Sequence, residues 1–219
     1  NFIGNVLWYD GSLLNFPNQK MWVFNKNIFW LDKQIKHFNY LEEHNKCKKQ
    51  IIENLSTSKK NILLTHCVPH EELNLWSEGI SVGNAYSGCK DVLSEIKPDI
   101  CICGHTHRHR MAYFGPDQMH GFWQIENASL IDWPQQGRVI EIFQDQHEQV
   151  WIANTALNHC GEVLTDIEHL KLDEVNQLAG LSRVLSVNDW QRRGGVFSIE
   201  NNEGELFDRN GIVVLPKRI

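Results

Sequence analysis

Three observations in the sequence predict an α/β fold. An apolar run, "N-I-L-L-T" at 61–65, ends in His66 and is stopped by Pro69. A second run, "D-I-C-I-C" at 99–103, ends in Gly104 and His105. Between them Cys89, Val92, Leu93 and Ile96 recur at helical spacing, and Pro98 closes the pattern. A strand, a helix and a strand in that order imply a right-handed crossover and parallel pairing. Both strand ends, each with a histidine, then fall at one edge of a sheet.

The other elements follow in chain order. Residues 2–9 predict a buried strand closed by Asp10-Gly11, and the aromatic stretch "M-W-V-F" follows at 21–24. Leu31, Ile35, Phe38 and Leu41 recur at helical spacing, and Cys47, Ile51 and Leu55 continue the pattern. One long helix or a pair is expected there, ending at the polar run "S-T-S-K-K". After the histidine segment, "G-F-W-Q-I-E-N-A-S-L-I-D-W-P-Q-Q-G" reads as a strand and a turn-rich loop. "R-V-I-E-I-F" and "Q-V-W-I-A-N-T", separated by "Q-D-Q-H-E", read as a β-hairpin. A helix is expected over about 168–193, carrying Leu170, Val175, Leu178, Leu181 and Val184 and ended by Gly194-Gly195. Short strands at Val196–Ile199 and Ile212–Leu215 complete the same domain or form an appendage. The expected division is 1–160 and 161–219.

Composition narrows the function. With 219 residues, of which 42% are hydrophobic, the chain can bury a sizeable core. Its 21 basic against 27 acidic residues give a net charge of −6, and no basic block is present to follow a phosphate backbone, which argues against extended nucleic acid as a partner. No run approaches the roughly 18 apolar residues of a membrane span, nor does the start resemble a secretory signal. No membrane partner and a cytoplasmic location are expected. The six cysteines form no C-x-x-C pair, so reduced thiols are expected. Cys101 and Cys103 share a strand face and read as small core residues. The chain opens on Asn1 rather than Met, directly on a strand-like run, which is read as a lost beginning.

The chemistry lies in "C-I-C-G-H-T-H-R-H-R" at 101–110. Side chains at i and i+2 of an extended segment lie on one side, so His105 and His107 can converge on one point. Imidazoles suit zinc, manganese and iron. His66, at the end of the neighbouring strand, is placed to join them, because open sheets of this kind bind ligands beyond the carboxyl ends of their strands. Gly104 would let the backbone approach a ligand closely. Arg108 and Arg110 follow directly and are candidates for a substrate phosphate. His70 is a candidate supporting residue, and "G-N-A-Y-S-G" at 83–88 lacks the spacing and lysine of a P-loop. Asp145 and His147 have the spacing of a metal-ligand pair but fall in the hairpin turn.

With His66 in "L-L-T-H", then "N-A-Y-S-G" and then "P-D-I-C-I-C-G-H-T-H", residues 1–130 resemble the second half of a calcineurin-like metallophosphoesterase. "F-I-G-N-V-L-W-Y-D" is similar to the family's mid-domain strand and "N-A-S" at 127–129 to its strand end after the histidines. The resemblance implies a β-sandwich flanked by helices (α/β/β/α), present here as its C-terminal part. It implies two divalent metal ions (Mn, Fe or Zn) that activate water for in-line attack on a phosphoester substrate. His66 and His105 would be ligands of the second metal and His107 of the first. The family's Asp-x-His, bridging Gly-Asp and Gly-Asn-His motifs are absent in the required order: "G-N-V" and "G-N-A" lack the histidine, and the chain contains no Gly-Asp. The chain is therefore read as the histidine half, with a missing N-terminal segment or a complementary chain as partner, and as incomplete or inactive alone. Two alternatives are a single-zinc hydrolase using His66, His105 and His107, and a degenerate, non-catalytic binding module whose tryptophans serve an interface.

Overall fold

In the computed structural model, strand β1 is Phe2–Asn5, helix α1 Tyr40–Glu53, β2 Ile62–Thr65 and β3 Ile100–Cys103. There follow β4 (Arg110–Phe114), β5 (Phe122–Glu126), β6 (Gln136–Gln144), β7 (Val150–Asn158), α2 (Val175–Arg192), α3 (Leu206–Arg209) and β8 (Asn210–Val214). The structure describes residues 1–5, 40–66, 95–104, 107–116, 121–159, 161, 168, 169, 171, 173–192 and 202–216. The elements make the chain mixed α/β, and its residues gather into two compact units, 1–106 and 107–219.

In the first unit β1, β2 and β3 run parallel, in that order, as the strand-helix-strand pattern requires. Of the helix expected from Cys89 and closed by Pro98, residues 95–98 are described: Glu95 and Ile96 are helical, Ile96 is buried, and Lys97 and Pro98 lie beyond the helix end. Residues 21–24, the first half of the helix predicted from 31, and 83–88 lie outside the described residues. Helix α1 buries His44, Cys47 and Ile51, which recur at i, i+3 and i+7 on one face. Ile62 and Leu63 in β2 and Ile100 and Cys101 in β3 are all buried, and since neighbours on a strand point to opposite faces these two strands are covered on both; each large aliphatic among them contributes about 1.5–3 kcal/mol. Cys47, Cys101 and Cys103 are buried free thiols, in keeping with their reading as core residues. In β1, Phe2 and Gly4 are exposed and Ile3 is buried, so the face that carries Phe2 and Gly4 is open.

A polar latch sets the register of β2 on β3. The buried Asp99 carboxylate accepts the Asn61 backbone N–H at 2.8 Å and pairs with Lys60 at 3.1 Å. Asn61 returns its carbonyl to the Asp99 and Ile100 N–H groups at 2.9 and 3.3 Å, and its side chain bonds both the N–H and the carbonyl of Ser56. With these starts fixed, Ile62 lies opposite Ile100, Leu63 opposite Cys101 and Leu64 opposite Ile102.

In the second unit β4 and β5 form an antiparallel pair, and β6, β7 and β8 form an antiparallel sheet in that order. The β6–β7 hairpin turns where the sequence places it. Asp145 accepts the His147 and Gln149 N–H groups at 2.8 and 2.9 Å, so "D-Q-H" is turn chemistry. β8 adds to β7 from the far end of the chain. Strand β4 has no counterpart among the expected elements, yet "R-M-A-Y-F" pairs residue for residue with β5. Helix α2 begins at Val175, later than expected, because the Gln177 side chain accepts the Lys171 N–H at 2.9 Å and holds a turn before it.

Candidate functional site

The β2–β3 register brings two of the predicted segments together. Counting on from Leu64 and Ile102 makes His66 level with Gly104, and the Gly104 N–H donates to the His66 carbonyl at 3.3 Å. The two strand ends therefore touch at the carboxyl edge of a parallel sheet, and His66 is exposed there. A Cβ on Gly104 would come no nearer than 4.0 Å to the His66 oxygen, an ordinary contact, so crowding within the described residues does not require glycine. His105 and His70 lie outside the described residues.

His107 begins the second unit. Its φ of +57° lies in the left-handed region, which histidine enters more readily than most residues but which still costs about 1–2 kcal/mol. Asn202 holds it there: its side chain donates to the His107 carbonyl at 3.1 Å, and its own carbonyl accepts the His109 N–H at 3.0 Å. The His107 Nδ1 lies 3.0 Å from an Asp132 carboxylate oxygen, with both side chains about a third exposed. A carboxylate on Nδ1 favours the tautomer protonated there and leaves the lone pair on Nε2.

Asp132 is presented by a tightly bonded loop. Ser129 Oγ accepts the N–H groups of Ile131 and Asp132 at 3.2 and 3.0 Å, while the Asp132 carbonyl accepts the Gln135 N–H at 2.8 Å. The Gln136 N–H closes the loop on the Ser129 carbonyl at 3.0 Å. From α2, Ser182 accepts the Gln135 side-chain amide at 2.8 Å, and Arg183 donates to the Pro134 carbonyl at 2.9 Å while lying over the Trp133 ring.

Arg108 and Arg110 both face one fully buried carboxylate. Arg108 Nε lies 3.3 Å from Glu126 and Arg110 Nη1 4.0 Å away, and Gln124 donates to the same carboxylate at 2.7 Å. Burial raises the Glu126 carboxyl and lowers the Arg108 guanidinium against their mutual attraction. Arg110 also lies over the Phe114 ring.

His109 is 1% exposed, and its Nδ1 lies 2.8 Å from Arg138. A guanidinium only donates, so Nδ1 accepts and the proton sits on Nε2, which has no hydrogen-bond partner among the described residues. Burial, helped by the nearby Arg138 and Arg209 charges, pushes this imidazole down to about 4. It is a neutral core histidine.

Asp132, Glu126 and Asn202 escape a reading of the sequence. Glu126 has a signal, a charge at the end of the apolar "F-W-Q-I-E"; Asp132 and Asn202 have none, being 25 and 95 residues from His107. Among the described residues, no group of three His, Cys, Asp or Glu side chains is arranged to hold a metal ion, and no helix is long and apolar enough to cross a membrane.

The fold so defined is mixed α/β with histidines at strand ends. No family model matches the chain, and no curated protein matches it. Among solved structures it is similar to phosphopantetheinyl hydrolase from Mycobacterium tuberculosis, with 14% identity, 57% of this chain and 48% of that chain covered, and a TM-score of 0.40. The match spans about half the length of that protein.

Proposed function

We propose that the chain supplies the histidine half of a metal-dependent phosphoesterase with the α/β/β/α sandwich, its ligands being His66, His105 and His107. The observation that carries the reading is the Gly104-to-His66 backbone bond, which joins the ends of "L-L-T-H" and "C-I-C-G" at the edge of a parallel sheet. Ligands in sheets of this kind bind beyond that edge. The donor set fits a borderline divalent ion such as Zn, Mn or Fe, and the carboxylate on His107 is the partner that metal-bound imidazoles ordinarily have. Two such ions would polarise the phosphoryl oxygens and lower the pKa of water. The protein's own part is to fix the three imidazoles. Arg108 and Arg110 remain the candidates for holding a substrate phosphate, steadied by Glu126.

The test is a titration of the 219-residue chain with Zn²⁺ and Mn²⁺, with bound metal counted, beside hydrolysis of p-nitrophenyl phosphate and its bis-ester. Saturable uptake is expected. His66→Ala and His107→Ala should each weaken it beyond the roughly 10–100-fold that loss of a supporting partner costs. About two ions per chain, or activity restored by a segment bearing the Asp-x-His and Gly-Asp motifs, supports the binuclear reading. One tightly held zinc with intrinsic activity supports a mononuclear hydrolase instead. No uptake, with stability indifferent to chelation, leaves a non-catalytic binding module.

A further inference from the structure

We propose that Asp132 is a positioning residue for His107, setting both its tautomer and the direction in which Nε2 points; this rests on the metal-site reading above. The Asp132 carboxylate lies 3.0 Å from Nδ1, close enough to hold the Nδ1 proton in a charge-assisted hydrogen bond. With the proton held there, the lone pair lies on Nε2, the form in which an imidazole ligates through that atom.

Folding alone does not account for the arrangement. Both side chains are partly exposed, and exposed ion pairs contribute little to stability. Yet the chain holds His107 at a positive φ, grips its carbonyl with Asn202, and builds a loop whose turn bonds converge on Asp132. Ser182 and Arg183 brace that loop from α2. The backbone of the imidazole and that of its carboxylate are thus each fixed independently, as positioning requires.

The test uses the full 219-residue chain and Zn²⁺ alone as probe. Long-range ¹H–¹⁵N spectra of the metal-free protein read the His107 tautomer directly. Wild type is expected to be protonated on Nδ1, Asp132→Asn to shift toward the other tautomer, and Asp132→Glu to retain much of the wild-type signature. Zinc affinity should fall about 10–100-fold in Asp132→Asn and recover in part in Asp132→Glu, with thermal midpoints close to wild type. A wild-type His107 protonated on Nε2 overturns the inference whatever the variants do. So does zinc affinity unchanged in Asp132→Asn but lost in His107→Ala, a result that leaves the metal-site reading standing. Zinc affinity unchanged in His107→Ala as well overturns that reading at His107, and this inference with it.

Discussion

Two histidines separated by one residue serve opposite ends. His107 is partly exposed and bonded to a carboxylate; His109 is sealed in the interior against an arginine. Burial of the second sets a pH dependence. The folded imidazole titrates at about 4 against 6.5 for the ordinary group, so between those values the unfolded chain takes a proton that the folded chain refuses. Stability due to this group is complete above pH 6.5 and is lost as pH falls toward 4, by up to about 3 kcal/mol. Urea unfolding from about pH 7 to 4 should show that limb in wild type, and His109→Asn should flatten it; an unchanged slope would contradict the assignment. A sequence reader sees "H-T-H-R-H" and cannot separate these roles, because the difference is made by Arg138 and Asp132, both far along the chain.

Among elements, the β2–β3 pair is the most legible in the sequence and the most consequential. Its strands announce themselves as short apolar runs with fixed stops, and parallel pairing follows from the intervening helix pattern. The latch that registers them is not legible, since Asn61 and Asp99 read as ordinary polar flanks. Asp99→Ala leaves the Asn61 N–H without its buried acceptor and is expected to cost about 1–3 kcal/mol, read as a lower urea midpoint with the slope unchanged. The hairpin β6–β7 is equally plain, with β-branched and aromatic residues on both arms and a polar turn between. β4 is not. Its five residues begin within a run of charged and imidazole side chains that suggests a solvated loop, and only pairing with β5, whose Glu126 receives Arg108 and Arg110, gives those charges a place in the fold.

At the scale of the molecule, the motif is visible in the sequence but its support is not. Strand periodicity and the spacing of histidines are local signals. The residues that brace His107 are drawn from a loop at 129–136 and a segment at 202, which no local pattern ties to residue 107. If the metal-site reading holds, free Zn²⁺ at about 100 times its dissociation constant should stabilise the chain by roughly 2.7 kcal/mol, and excess chelator should reverse the rise in thermal midpoint. The clasp made by Asn202 continues into the next turn. Gly204, two residues on, has a φ of +72°, and a Cβ there would fall 2.4 Å from the His109 carbonyl oxygen, so this late turn is shaped around the histidine stretch. A gene product truncated ahead of Asn202 would keep every letter of Gly-His-Thr-His while losing the grip that shapes it. Possessing the signature and being able to use it would then be separately heritable traits.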